Sequence, residues 1–434
     1  MIQTPPEPLE LSPAVQLNIN LRGLPLSATL EINERSAALK AEGRDVYRLG
    51  LGQSPFPVPE RLRQALADNA HQKDYLPVQG LHKLRVSICG YLKRTQGLDF
   101  DPEDILVGPG TKELMFLVQL AYYGDLVIPT PSWVSYAPQA HILGRPITWL
   151  PTQIENGLGV TGQALRDVCR DDPARPRLLI LNSPGNPTGT AYTPEALDEI
   201  ARVARDHRVL LLSDEIYGGV QFDGRHDSVA RHYRGGTIIS DGLSKWAGAG
   251  GWRLGFFAFP KSLAWLRQAM ASAASETYTS VSAPIQHAAC IAFDGGEDIE
   301  AYLAGSRTIL AALGDYVSAT LTQAGAELNA IRGGFYAFPS FEGLRERLEQ
   351  RGIADSQTLC ARLLDETGVA TLPGVAFGRP EGELSLRLAY VDFDGGEALR
   401  AVAGGLSLDR DGLRTIAPNV VEAIDRMAQW VAQD

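Results

Sequence analysis

Between about residues 100 and 260, short runs of leucine and β-branched residues alternate with segments whose apolar positions recur at helical spacing. The runs are Ile105–Val107, Leu126–Ile128, Ile147–Leu150, Arg177–Leu181, Val209–Ser213, Thr237–Ser240 and Leu254–Phe259. Several are continuously apolar, as strands are when both faces of their sheet are covered. The pattern predicts an α/β fold with seven strands in one mostly parallel sheet and helices on its faces. Helix signals fall between the runs. Thr193-Pro194-Glu195 supplies a cap hydroxyl, a first-turn proline and an early acid for a helix over Ala196–Asp206. Gly110-Thr111-Lys112 leads into a second helix over Glu113–Leu120.

On either side of this block the pattern changes. Leu30–Glu42 reads as a helix, Gln53–Pro59 as a turn-rich crossing, and Glu60–Ala70 as another helix. After about residue 300, long helical patterns are broken at Gly333-Gly334-Phe335-Tyr336, by a strand over Ala370–Leu372, and by Leu384–Tyr390. The expected organisation is an arm and part of a small domain over residues 1–50, a large domain over 51–300, and a smaller α+β domain over 301–434. The proline-rich opening, to about Ile19, suits an arm lying on a surface or on a partner subunit.

The composition excludes several classes of function. The 434 residues leave room for two or three domains, and 44% hydrophobic with 21% charged residues describes a folded chain. Forty Lys+Arg against 51 Asp+Glu give a net charge of −11, no footprint for nucleic acid or an anionic bilayer. Cys89, Cys169, Cys290 and Cys360 form no CxxC pair and read as buried structural thiols. The histidines form no HExxH; His226 and His232, six apart, read as surface residues. Met1–Leu11 has no signal-peptide pattern and no stretch is apolar enough to span a bilayer, so the expected location is the cytoplasm. Gly248-Ala-Gly250-Gly251 lacks the last glycine of a dinucleotide fingerprint, and there is no GxSxG elbow.

Ligands of open α/β sheets bind beyond the carboxyl ends of the strands, so polar residues at those ends carry the chemistry. Lys245 follows a strand among Gly and Ser, flanked by Trp246; a lysine in such surroundings can form a Schiff base, although a surface lysine with its stem on apolar neighbours has the same local sequence. Asp214 closes an apolar strand, where a buried carboxylate needs a cation, and a protonated pyridine nitrogen meets that need. Tyr217 is placed to donate to a ring oxygen, the alternative for the pair being a turn cap and a packed aromatic. Asn186 sits in the rigid Asn186-Pro-Thr-Gly189 turn, suited to a fixed hydrogen bond or to an ordinary loop. Gly110, Thr111 and Lys112 open a helix whose free N–H groups face any anion, and Arg253 could add a bidentate contact there or form a strand-edge salt bridge.

These motifs together resemble the class I/II aminotransferases, fold-type-I enzymes that use pyridoxal 5′-phosphate. Ser244-Lys245 with Gly251-Trp252-Arg253-Leu254-Gly255 is similar to the family's lysine signature, and Asn186-Pro-Thr-Gly189 and Asp214-Glu-Ile-Tyr217 match two further motifs in order and spacing. The resemblance runs from about Val46 to Val391. It implies that Lys245 is the Schiff-base lysine and proton shuttle, that Asp214 pairs with the pyridine nitrogen, and that Asn186 and Tyr217 bind the ring's phenolic oxygen. It further implies that Arg253, Gly110, Thr111 and Lys112 hold the phosphate and that Trp133, in Pro131–Tyr136, stacks on the ring. By the same resemblance Tyr75 reaches the phosphate across a homodimer interface, and Arg387, in Leu384–Tyr390, grips the substrate α-carboxylate near the main chain of Gly52.

One departure bears on specificity. The dicarboxylate-specific aspartate branch carries an arginine before a Tyr-Ser/Thr turn, whereas Ala271–Ser280 holds Glu276 and no cation. In some relatives the lysine matching Lys112 helps bind a distal carboxylate, which keeps glutamate as a donor. Phe56, Trp133, Phe335 and Tyr336 offer an apolar side-chain pocket or ordinary core packing. The expected activity is ping-pong transfer of an amino group between an L-amino acid and a 2-oxo acid. Elimination or cyclisation on the same scaffold is the alternative, and a non-catalytic binding protein the remote one.

Overall fold

The computed structural model describes residues 18–22 and 28–433. The proline-rich opening expected to form an arm lies almost wholly outside them.

The seven runs form the seven strands of one sheet: β1 (Ile105–Gly108), β2 (Asp125–Thr130), β3 (Ile147–Pro151), β4 (Arg177–Asn182), β5 (Leu210–Asp214), β6 (Thr237–Gly242) and β7 (Gly255–Ala258). Their order is β1-β7-β6-β5-β4-β2-β3. All pairs are parallel except those of β7, which runs antiparallel to both β1 and β6. Side chains alternate between faces with the period of two that a strand imposes. Leu178 and Ile180 enter one core layer with Leu106, Leu212 and Phe257, whereas Leu179 and Leu181 enter another with Val127 and Leu211. Burial on both faces is why the central runs are apolar, each fully buried leucine contributing about 1.5–3 kcal/mol; the edge strand β3 is part-exposed and holds Thr148.

Strand order places the site. β4, β5 and β6 are adjacent and parallel, with Asn182 in register with Asp214 and Asp214 with Ser240, so the loops that leave them emerge side by side. The helix Thr111–Ala121 follows β1, and β1 and β6 both pair with β7.

Beyond the sheet, Glu297–Gln323 is one long helix that packs on Gly395–Ala403 and Pro418–Val431. Tyr336–Ala337, Leu372–Pro373 and Leu386–Ala389 form a three-stranded antiparallel sheet, and Tyr47–Arg48 pairs in parallel with Val369–Ala370. The strand expected over Ala370–Leu372 is therefore two short strands. Thr371 between them is buried and donates to the Cys360 thiol at 3.3 Å.

Two expectations about side chains are corrected. Cys169, Cys290 and Cys360 are buried and all four cysteines are free, but Cys89 is only half-buried. His226 is not a surface residue: its side chain is 8% exposed, with Nε2 3.0 Å from Glu215 Oε2. Burial opposes its charged form, yet the Glu215 carboxylate outweighs that cost and raises its pKa. Among the described residues no helix is long and apolar enough to cross a membrane.

Candidate active site

Thr111, Lys112, Trp133, Asn186, Asp214, Tyr217, Lys245, Arg253 and Gly52 line one cleft of about 480 Å³ at the carboxyl ends of the strands. Residues from six separate stretches of sequence thus meet, five of them because they follow strands of the same sheet.

Asp214 is the last residue of β5 and is 3% exposed. Tyr136 donates to its Oδ2 at 2.5 Å, while Oδ1 is buried with no hydrogen-bond partner among the described residues. Burial pushes the carboxyl up to about 6, against the pull of the Tyr136 hydroxyl and the Ile216 N–H. An orphaned buried carboxylate oxygen costs free energy unless a cationic donor meets it. The site is therefore shaped for a ligand with a protonated ring nitrogen.

Lys245 follows β6 and donates from Nζ to the Gly52 carbonyl at 2.8 Å. Its ammonium lies 5.5 Å from the centre of the Tyr217 ring and 5.6 Å from that of Phe335. Tyr217 is buried, with its hydroxyl 2.9 Å from that of Tyr336, which in turn lies 3.3 Å from the Gly52 carbonyl. Gly52 has to be glycine, because a Cβ there would overlap the Tyr336 hydroxyl.

The opposite end of the cleft is cationic. Gly110 caps the helix Thr111–Ala121 with φ +87° and no side-chain cap, which leaves the first-turn N–H groups free for an anion. Arg253 donates to the Gly250 and Pro109 carbonyls at 2.9 and 3.3 Å, its guanidinium lying where a Cβ on Gly110 would stand. It forms no salt bridge among the described residues. The Lys112 ammonium sits 5.0 Å above the Trp133 ring; partial burial lowers its pKa, and Arg253 and Lys245 lower it further. Two cations beside the free N–H groups of a helix start call for a negatively charged group there.

Arg387 and Tyr75 stand apart from the cleft lining. Arg387, on Leu386–Ala389, is 2% exposed and donates to Asn186 Oδ1 at 3.2 Å and the Gly50 carbonyl at 2.5 Å, with Nε unpartnered among the described residues. Its guanidinium is sandwiched between the rings of Tyr336 and Phe377 at 4.8 and 5.0 Å. It touches the site through Asn186, whose own N–H donates to Asn182 Oδ1 at 2.6 Å. Tyr75 is 91% exposed and takes no part in the cleft of its own chain. Of the aromatic set, Phe56 packs edge-on against Tyr302 and Phe393, outside the lining of the cleft.

These residues fit pyridoxal 5′-phosphate: an orphaned carboxylate oxygen for the ring nitrogen, an amine for the aldehyde, and a helix start with two cations for the phosphate. Three contributors have roles here that their local sequence does not show. Tyr136 lies within the quoted Pro131–Tyr136 segment but only the fold brings it to Asp214; Tyr336 is separated from Tyr217 by 119 residues; Asn182 is a strand terminus that braces Asn186.

The sequence profile of the family described as aminotransferase class I and II matches residues 44–400. An aspartate aminotransferase of Geobacillus stearothermophilus is 33% identical over 374 residues, covering 84% of this chain and 91% of that protein. The aspartate aminotransferase of Bacillus sp. strain YM-2 is 31% identical, covering 84% and 92%. Among solved structures, the aspartate aminotransferase of Rhizobium meliloti superposes with a TM-score of 0.82 at 27% identity, covering 96% of this chain and 98% of that one.

Proposed function

The chain belongs to the class I and II aminotransferases and is a pyridoxal 5′-phosphate-dependent transaminase, and from that premise we propose that it moves an amino group between an L-amino acid and a 2-oxo acid by a ping-pong mechanism centred on Lys245. The bound cofactor supplies an aldehyde for the Schiff base and a ring that accepts the charge left on the substrate Cα. Lys245 would hold the cofactor's aldehyde through Nζ and, once freed by the substrate amine, would be the base that takes the proton from the substrate Cα. Asp214 offers Oδ1 to the ring nitrogen and keeps it protonated. Asn186 and Tyr217 serve the phenolic oxygen, and Trp133 covers a ring face. Gly110, Thr111, Lys112 and Arg253 take the phosphate.

Arg387 binds the substrate α-carboxylate beside the main chain of Gly52, exchanging its contacts with Asn186 and Gly50 for that carboxylate. The aspartate aminotransferase names of the relatives and the cationic Lys112 make aspartate and glutamate the first donors to test. The reading includes a cytoplasmic homodimer in which the exposed Tyr75 reaches the partner's phosphate site, with a large domain over 51–300 and a small domain over 301–434 joined by part of 1–50.

The observation that carries this reading is the unpartnered Oδ1 of Asp214 in the same cleft as Lys245. The test is an absorbance spectrum of the cofactor-loaded protein before and after each amino acid of a panel, without acceptor. Conversion to the pyridoxamine band with one equivalent of 2-oxo acid is the expected result. Continued ammonia release without acceptor would replace transamination by elimination.

A further inference from the structure

The Tyr217 and Tyr336 hydroxyls form a contact in which either can be the donor, and only one arrangement leaves Tyr217 a proton for a ligand. Each phenol carries a single proton. Their hydroxyls are 2.9 Å apart in a buried setting, and the Tyr336 hydroxyl is also 3.3 Å from the Gly52 carbonyl, which already accepts from Lys245. If Tyr336 donates to Gly52, Tyr217 must donate to Tyr336, and it then has no proton to offer a ligand. If Tyr336 donates to Tyr217, the Tyr217 proton is free to point elsewhere and the Gly52 carbonyl is left to Lys245.

We propose that Tyr336 is a positioning residue that donates its hydroxyl proton to Tyr217, directing the Tyr217 proton onto the cofactor's phenolic oxygen and strengthening that hydrogen bond. The inference rests on the assignment of Tyr217 to that oxygen. Three features hold Tyr336 in place. Its backbone pairs with Ala389 in the three-stranded sheet, its ring packs edge-on against Tyr217 at 5.5 Å, and the Arg387 guanidinium covers it at 4.8 Å. Gly52 leaves the space its hydroxyl occupies. A donor that is itself hydrogen-bonded through its oxygen is the stronger donor, because bonds in a chain polarise one another in a medium of low dielectric.

The charged groups around the pair are Lys245 over the Tyr217 ring, Arg387 over the Tyr336 ring, and Asp214 beside Tyr217; Lys112 and Arg253 lie further along the cleft. Tyr336→Phe removes a hydroxyl and none of these charges. A change in the titration of the bound cofactor then reports the hydrogen bond and not an altered field.

The experiment is a spectrophotometric pH titration of the cofactor-loaded protein without substrate. The donor to the phenolic oxygen favours the form in which that oxygen does not share the Schiff-base proton. Weakening it should raise the midpoint, by about 0.5 pH unit for Tyr336→Phe. Tyr217→Phe should raise it further, and the double variant should match Tyr217→Phe alone, since Tyr336 acts only through Tyr217. 3-Fluorotyrosine at position 336, a more acidic phenol that keeps the packing, should lower the midpoint; it tests the proposal equally should Tyr336→Phe not fold. A Tyr336→Phe midpoint equal to wild type, with Tyr217→Phe shifted, would overturn the role of Tyr336; additive shifts in the double variant would do the same. No shift in Tyr217→Phe would instead overturn the assignment of Tyr217 on which the inference stands.

Discussion

Tyr136 donates to Oδ2 of Asp214 at 2.5 Å, and Oδ1 of the same buried carboxylate has no partner among the described residues. The tyrosine fixes the plane of the carboxylate and favours its charged form, so that the free oxygen meets the ring nitrogen as an anion. Without that hydroxyl, burial would hold more of Asp214 protonated near neutral pH. Tyr136→Phe should weaken cofactor affinity about tenfold, the equivalent of losing one charge-assisted hydrogen bond of about 1.5 kcal/mol. Titrating apoprotein with pyridoxal 5′-phosphate and following fluorescence quenching measures this. An unchanged dissociation constant would mean that Tyr136 serves packing alone.

Lys245→Ala removes the amine and leaves Asp214, Asn186, Arg253 and the helix start intact. The variant is expected to bind pyridoxal 5′-phosphate noncovalently, with a free-aldehyde spectrum, and to lose turnover. Borohydride treatment followed by mass spectrometry should add the cofactor's mass to wild type and not to the variant. Full turnover in Lys245→Ala would remove the mechanism.

At the phosphate end, Gly110 has a φ of +87° and lies under the Arg253 guanidinium, so alanine there meets both backbone strain and a side chain that must move. Gly110→Ala should cost about 1–3 kcal/mol of stability. Its larger effect should be on the phosphate. Affinity for pyridoxal 5′-phosphate should fall while that for unphosphorylated pyridoxal changes little, a comparison that separates loss of the anion site from general damage.

Most of the seven strands were legible because burial on both faces makes them largely apolar runs, and all seven runs fall within the strands found or overlap them, including the part-exposed edge strand β3. Asp214, which closes such a run, and Asn186 and Lys245, in the loops just beyond two others, were legible for a related reason: ligands of open α/β sheets bind beyond those strand ends. What stayed hidden depends on contacts remote in sequence. The helix His82–Gln96 interleaves Lys83, Arg85, Lys93 and Arg94 with its apolar face, and packs against Ala283–Asp294 nearly 200 residues away. His226 has the local sequence of a surface loop, and only the burial of Glu215 makes it a paired core residue. Tyr336 looked like a pocket aromatic because nothing near Gly333-Gly334 in sequence reveals the Tyr217 hydroxyl.

Asp241 on β6 is a further buried acid that the proposed reaction does not use. Burial pushes its carboxyl up to about 8, although the Gly242 N–H and the Tyr91 hydroxyl, at 2.6 and 3.0 Å, favour the charged form; Glu215 raises it further and His226 opposes. An unfolded aspartate titrates near 3.8. Between 3.8 and about 8 the folded chain keeps a proton that the unfolded chain has released, so Asp241 makes stability fall as pH rises through that window, with a limiting slope of about 1.4 kcal/mol per pH unit. Asparagine copies the protonated acid: its oxygen still accepts from Gly242 and its amide can donate to the Tyr91 oxygen. Asp241→Asn should therefore match wild type within about 1 kcal/mol at pH 4 and exceed it by a margin that grows up to pH 8 and then stays constant. Urea unfolding of both proteins across pH 4 to 9 gives that difference, because titrating groups not coupled to Asp241 cancel. A margin that stays flat from pH 4 to 9 would mean that Asp241 is already charged in the fold and stabilised by its two donors.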